Sequence, residues 1–459
     1  MSNTNPRAVD IGRTLDDGPF SALQKWVVLL ASLAIVMDGL DGQLIGFAIP
    51  MMLKDWGLPR SAFAPAVAAG LLGMAIGSAS VGAFADRFGR RLAVVGSVLL
   101  FGLATCAIGF APDVPTLALL RFVAGLGIGG ALPSATTMTA EFTPARRRTL
   151  AVTATIVCYP LGGMIAGLFA GLVLPVLGWK GLFWIGGLFP IAMALLLGLA
   201  LPESPRYLAR HRERWDALTR LLARMGRQVG AGSVFVDAAE QQREQSAGFA
   251  AVFSRDHRRD TLALSFAFFM CLLAVYSAFS WLPTMLATEG LPLDIAGSGL
   301  TAYNFGGVFG ALLCAVAISR HGSRWPLILC CLGGAATAFV LKGVDVKQNT
   351  QLLIVGLGLH GLFVNAVQST MYALCAHVYP TAVRATGTAT ALAVGRFGAI
   401  LSAFAGAAVI TSGGAGAYLS LLGGAMVLAL VGLLLVRRHI PSLAARAAGR
   451  AAPLAGKAA

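Results

Sequence analysis

A few charged and polar side chains fall inside stretches that are otherwise almost wholly apolar, and their types limit the chemistry open to this chain. Asp38 and Asp41 interrupt the apolar run 26–49. Three residues apart, they share one face of a helix. Two neighbouring carboxylates in apolar surroundings resist being charged together, so such a group can load a proton from one side and release it to the other. The plainer alternative is a helix-end pair with structural contacts. Asp41 is assigned as proton carrier, with Asp38 coupled to it or structural. Arg121 and Arg396 also lie within apolar runs. An arginine keeps its charge and offers a planar fork suited to a carboxylate, so each either holds a substrate anion or balances an internal acid such as Asp41. In the run 351–378, positions 361, 365, 368 and 372 share a helical face with His360 beside it. Asn365, Gln368 and Tyr372 on that face suggest a water-accessible cavity, and His360 is a lesser candidate for a proton relay. Tyr276 and Trp281 either stack on a flat ring or sit at a membrane interface.

These groups need elements that can hold them in lipid. Of 459 residues, 57% are hydrophobic and only 12% charged, about half the roughly 25% charged residues of soluble proteins. With a mean hydropathy of +0.77, the composition excludes a disordered chain, a secreted disulfide scaffold and a typical cytosolic enzyme. A bilayer core needs roughly 20 apolar helical residues per crossing. Runs of that kind occupy 26–49, 62–85, 92–111, 115–140, 149–174 and 180–201. Six more occupy 261–287, 298–319, 325–342, 351–378, 384–411 and 415–436. The expected class is therefore an all-α integral membrane protein, with twelve transmembrane helices in two six-helix bundles related by a pseudo-two-fold axis. The boundaries read as a tail 1–25, a bundle 26–202, a central loop 203–260, a second bundle 261–437 and a tail 438–459.

The net charge of +15 is a topological signal. With both tails and the even-numbered connections on one side, that side holds 28 of the 35 Lys and Arg residues, the opposite side holds 5, and Arg121 and Arg396 remain inside spans. The positive-inside rule then puts both termini in the cytoplasm and makes nucleic acid an unneeded partner. The central loop carries 11 Arg and 8 acidic residues. It has too few large apolar side chains for a domain of its own and reads as a solvated linker with a surface helix near 212–226. The seven cysteines lie in or beside apolar runs without metal-ligand spacing, so neither a disulfide framework nor a metal site is expected. No P-loop or serine-nucleophile pattern appears. No catalytic residue and no cofactor is expected, and an ion gradient would drive the work.

The 2–3 connection reads Gly82-Ala-Phe-Ala-Asp86-Arg87-Phe-Gly89-Arg90-Arg91. Gly82 would permit close helix approach. Asp86 would pair with an Arg or a helix N-terminus across the interface between the halves, and Gly89 would make the tight turn. Such a contact forms in one conformation and breaks in the other; the bland alternative is basic anchoring with a turn glycine. The loop resembles the signature of the major facilitator superfamily. So do Arg121-Phe-Val-Ala-Gly125-Leu-Gly127-Ile-Gly129, the glycine-rich Tyr159–Gly167 stretch, and Pro202-Glu203-Ser204-Pro205-Arg206. The second-half loop keeps Arg320, Gly322 and Arg324 but has Ser319 where the acid would stand. Asp38-Gly-Leu-Asp41, Glu141-Phe-Thr-Pro144 with Arg146–Arg148, Tyr379-Pro380 through Gly387, and Gly395-Arg396-Phe-Gly-Ala-Ile400 resemble the aromatic acid:proton symporter family.

The resemblance implies a proton-coupled importer of an aromatic carboxylate, of hydroxybenzoate or phenylpropionate type, in the inner membrane. Alternating access would rock the two bundles around a central site. Spans 1, 4, 7 and 10 would line the cavity, which favours Arg121 over Arg396 for the carboxylate. The partners would be the acid, protons and membrane lipid, with a monomer as the default. An exporter of hydrophobic drugs, an importer of another organic anion, and a transporter-like receptor are the rivals.

Overall fold

The computed structural model describes residues 8–229, 233–237, 252–379 and 383–442. Residues 380–382 of the Tyr379 stretch, parts of both tails and residues 230–232 and 238–251 of the central segment lie outside them. Strand β1 (Ala8–Asp10) leads into helix α1 (Ile11–Asp16), and six more helices follow. These are α2 (Ala22–Trp56), α3 (Arg60–Phe88), α4 (Arg90–Ile108), α5 (Val114–Phe142), α6 (Ala145–Ala200) and α7 (Pro205–Arg210). Helix α8 (Trp215–Arg224) and strand β2 (Val234–Val236) lie in the central segment. After it come α9 (Arg258–Thr288), α10 (Leu293–His321), α11 (Arg324–Leu341), α12 (Thr350–Val378) and α13 (Arg384–Leu435).

Ten of these helices are long and apolar enough to cross a membrane, yet they make twelve crossings. Helices α6 and α13 have 56 and 52 residues. At a rise of 1.5 Å per residue they measure about 84 and 78 Å, well over twice a hydrocarbon core of roughly 30 Å. Each breaks midway. Gly178 adopts φ +64° and Gly414 φ +58°, a conformation open to glycine and costly for other residues. The chain reverses at those two points, so the twelve predicted spans stand.

The chain forms two compact units, Met1–Met51 with Ala69–Ser246 and Met52–Ala68 with Ala247–Ala459. Without a hydrophobic drive between helices in lipid, tight association relies on small residues that let backbones touch. In the first unit, a Cβ added to Gly73, Gly77, Gly125 or Gly129 would collide with a carbonyl oxygen of the facing helix, locking α3 against α5. Gly39 and Gly162 do the same between α2 and α6.

The second unit repeats this code. Gly73, Gly77 and Gly89 recur 233 residues later as Gly306, Gly310 and Gly322. Gly125, Gly162 and Gly178 recur 236 residues later as Gly361, Gly398 and Gly414. The contacts recur with them: Gly77 faces the Leu126 carbonyl and Gly310 that of Leu362, while Gly162 faces that of Val36 and Gly398 that of Phe269.

Polar segments are also tied down. β1 pairs in parallel with β2, Ala8 opposite Val234 and Asp10 opposite Val236. Arg148 pairs with Asp16, Arg206 Nη1 stands 3.6 Å from Asp237, and Arg227 donates to the Leu15 carbonyl at 3.2 Å. The predicted surface helix is present as α8 after a 3₁₀ turn at Arg212–Arg214, with Leu218, Leu221 and Leu222 buried beneath it. The strand pairing has no counterpart in the sequence expectation, because three-residue strands carry no periodic signal.

Gly77→Val drives a branched side chain into the Leu126 backbone. It should lower stability in detergent by about 1–3 kcal/mol or abolish folding. Gly96, on α4, has nothing within 4 Å of its Cβ position, so Gly96→Ala should leave the thermal unfolding midpoint near that of the wild type.

Candidate functional site

The intramembrane charges of the first unit converge. Asp41 on α2 and Arg121 on α5 are both buried, 0% and 5% exposed, and each lies within the electrostatic reach of the other. The packing glycines make this possible. Gly70 on α3 has no side chain where the Arg121 guanidinium lies, its Cβ position being 3.3 Å from Nε and Nη2. Gly42, next to Asp41, faces the Tyr159 hydroxyl at 3.1 Å from its Cβ position, and Tyr159 is itself electrostatically coupled to Arg121.

The pair is incompletely satisfied. Both carboxylate oxygens of Asp41, and Nε and Nη1 of Arg121, lack a hydrogen-bond partner, and Thr105 beside Asp41 completes no bond. Buried polar atoms are normally paired. The two opposite charges therefore influence each other without a direct hydrogen bond between them. Asp38 is buried too, at 1% exposure. Gln43 on the same helix fills the space above Gly163.

In the second unit the structure brings together three predicted residues. Arg396 on α13 donates through Nη1 to the Tyr276 hydroxyl on α9 at 2.9 Å and lies over the Tyr276 ring at 6.0 Å. Tyr372 on α12 feels the same guanidinium and meets Phe268 edge-on at 5.6 Å. His360 stands apart from that group, with Nδ1 3.0 Å from the Gly334 carbonyl and 3.1 Å from the Thr337 hydroxyl, both on α11. Those contacts assign the proton to Nδ1 and leave Nε2 as a buried acceptor without a partner. Asn365 donates to the Gly361 carbonyl of its own helix at 3.0 Å, and Gln368 is half-buried. Trp281 is fully buried and occupies the space a side chain on Gly406 would need, so the membrane-interface alternative does not hold.

Asp86 pairs within its own unit, at 2.6 Å from Arg90 and 3.8 Å from Arg210. Arg90 also approaches Glu141 at 3.7 Å, and Glu141 accepts from the Ser204 hydroxyl. Glu203, just after α6, accepts from the backbone N–H groups of Arg90 at 2.9 Å and Arg91 at 3.1 Å. It thereby caps α4 with a negative charge. Gly89, at φ +108°, leaves room for that carboxylate; any side chain there would strike it. Gly82 does not mediate a close helix approach here, since its Cβ position meets nothing within 4 Å. It lies on an exposed face of α3. Arg87 is exposed, with its guanidinium 5.4 Å from the Phe88 ring centre.

Glu141, Glu203, Ser204 and Arg210 escaped the residue-level expectation. Glu141 and Glu203 sat within quoted motifs, and an acid followed by Ser-Pro at the end of an apolar run was the available signal. The second unit replaces the latch with neutral groups. Ser323 bonds through its N–H to the Ile440 carbonyl at 2.9 Å and through its hydroxyl to the His439 imidazole at 3.3 Å. Burial, with Arg324 nearby, pulls the His439 imidazole below its usual range, which suits an uncharged acceptor.

Glu203→Ala removes the cap of α4 and should cost about 1–2 kcal/mol in unfolding experiments. Glu203→Gln should retain part of that, because its amide oxygen still accepts from the two N–H groups.

Comparison with known proteins follows this architecture. The Major Facilitator Superfamily model matches residues 31–299 and 264–457. The 4-hydroxybenzoate transporter PcaK of Pseudomonas aeruginosa is 37% identical over 403 residues, covering 88% of this chain and 90% of that one. The gallate transporter of Pseudomonas putida is 34% identical, with coverages of 88% and 89%. The 3-(3-hydroxy-phenyl)propionate transporter of Escherichia coli is 32% identical, with coverages of 81% and 83%. Among solved structures, the partially occluded inward-open xylose transporter XylE of E. coli superposes with a TM-score of 0.72 at 19% identity, covering 91% of this chain and 99% of that one; this likeness concerns the fold. With paired six-helix units, broken helices at Gly178 and Gly414, and full-length relatives that are transporters, the chain is a multi-pass membrane protein and belongs to the Major Facilitator Superfamily.

Proposed function

We propose that this chain imports an aromatic carboxylate, of hydroxybenzoate or phenylpropionate type, together with protons, by alternating access in the bacterial inner membrane with both termini cytoplasmic. Relatives named for 4-hydroxybenzoate, gallate and 3-(3-hydroxy-phenyl)propionate support the substrate class. The 28-to-5 division of basic residues supports the orientation. All the residues invoked lie in one chain, so a monomer suffices.

The buried Asp41–Arg121 pair is the observation that carries the coupling. In low dielectric, one guanidinium balances one carboxylate, and a second anion beside it is strongly disfavoured. With Asp41 ionised, Arg121 is committed to it. A proton on Asp41 frees the guanidinium to take the substrate carboxylate through its planar fork. Carboxylate and proton are then carried as a neutral set, and release of either one favours release of the other. Asp38 shares the helix face and tunes Asp41. Tyr276, Tyr372 and Arg396, with Trp281, His360, Asn365 and Gln368, form the second-unit set assigned to the aromatic ring and its substituents. Gly82, Asp86, Arg87, Gly89 and Arg90 are assigned to gating, with Glu141, Glu203 and Arg210 added to the charge cluster.

In proteoliposomes with an alkaline interior, wild-type protein should accumulate labelled 4-hydroxybenzoate, and a protonophore should abolish this. Asp41→Asn should retain downhill exchange within a few-fold and lose gradient-driven accumulation. Full accumulation by that variant removes Asp41 from the proton path.

Arg121→Gln should raise the half-saturating 4-hydroxybenzoate concentration at least tenfold, about 1.4 kcal/mol. Arg121→Lys should recover only part, since an ammonium lacks the two-pronged geometry. Unchanged affinity in both variants refutes a carboxylate contact at Arg121.

A further inference from the structure

A cavity of about 520 Å³ opens on the second unit between α10, α11 and α12. Its wall runs along α10 from Gly310 to His321, and Trp325 and Leu329 of α11 form the opposite lip. Leu313, Trp325 and Leu329 are 60–65% exposed, so the cavity faces outward. Its twelve residues, eleven rises of about 1.5 Å, make it about 16 Å long, close to half of a hydrocarbon core of roughly 30 Å.

The repeat shows why it is there. With the 233-residue offset, Ala317 and His321 correspond to Phe84 and Phe88, which pack ring against ring at 4.8 Å in the first unit. A methyl group and an imidazole stand where the first unit has two phenyl rings, which leaves more room at that end of the groove.

One end of this groove is basic. His321 lines it, and Arg320 and Arg324 flank it; all three are exposed. Neither arginine forms a salt bridge among the described residues. The His321 Nδ1 is 3.3 Å from the Ala317 carbonyl, which turns Nε2 away from the helix. The exposed Trp325 beside this cluster suits a membrane–water boundary. Elsewhere the lining is apolar, with Cys314 and Cys330 facing each other at 4.0 Å.

We propose that this groove binds an anionic glycerophospholipid of the bilayer, with one acyl chain along α10 and its phosphate at Arg320, His321 and Arg324. An apolar channel capped by unpaired cations matches a lipid with a negative headgroup better than a zwitterionic one. The site lies wholly within the second unit and is independent of the Asp41–Arg121 reading.

The test uses the full-length protein, delipidated in detergent and titrated with phosphatidylglycerol or phosphatidylcholine under native mass spectrometry. One phosphatidylglycerol should be retained preferentially by the wild type. Arg320→Gln with Arg324→Gln should weaken that binding at least tenfold. Ala317→Phe with His321→Phe copies the filling of the first unit and should expel the lipid while leaving the unfolding midpoint within a few degrees. Phosphatidylglycerol should also protect Cys330 from a lipid-soluble maleimide, located by peptide mapping. Equal retention of both lipids by the wild type, or undiminished phosphatidylglycerol binding in the Phe-filled variant, overturns the proposal. Protection of Cys330 by 4-hydroxybenzoate instead of the lipid does so as well.

Discussion

A carboxylate inside a membrane is costly to ionise unless a cation lies within its electrostatic reach. Asp41 and Arg121, on α2 and α5, meet that condition, and the surrounding packing leaves room for them. Gly70 gives the guanidinium its space, and Gly42 lets the Tyr159 hydroxyl close in. The contacts of Gly39 and Gly162 hold α2 against α6, while those of Gly73, Gly77, Gly125 and Gly129 hold α3 against α5. Looser packing would admit water, raise the local dielectric and weaken the mutual dependence of the two charges.

The internal repeat separates architecture from chemistry. Packing glycines and chain reversals recur at fixed offsets, whereas the charges do not. The positions equivalent to Asp41 and Arg121 are Ala274 and Leu357, and the position equivalent to Arg396 is Pro160. Each unit therefore keeps the same helix contacts and carries its own polar set: an acid–arginine pair in the first, an arginine–tyrosine cluster in the second. The same division holds at the signature loops. Asp86, Arg90, Glu141 and Glu203 build an ionic latch in the first unit, while Ser323, His439 and Ile440 close the second with neutral hydrogen bonds. Ionic contacts in one unit and neutral hydrogen bonds in the other respond differently to solvent and charge.

Residues outside a site shape it as well. Glu203, in the Pro202–Arg206 stretch, holds the first turn of α4, the helix whose other end carries Thr105 beside Asp41. The central segment, read as a solvated linker, is joined to the tail by β1 and β2, while Arg148 ties Asp16 to α6 and Arg206 ties Asp237 to α7.

Twelve spans and the intramembrane charges were legible in the sequence, because hydropathy and isolated ionisable residues are local properties that lipid enforces on every segment. Asp41 and Arg121 stood out for the same reason: a charge in an apolar run needs no neighbours to be noticed. Pairing was not legible. That Arg121 lies within reach of Asp41, that Arg396 is held by Tyr276, that Glu203 caps α4 at Arg90, and that a groove runs past Ala317 all depend on which helices meet and at what depth. Contacts between residues 80 or more positions apart are set by packing in three dimensions, where a missing Cβ decides how closely two backbones approach, and no periodicity along the chain records that distance.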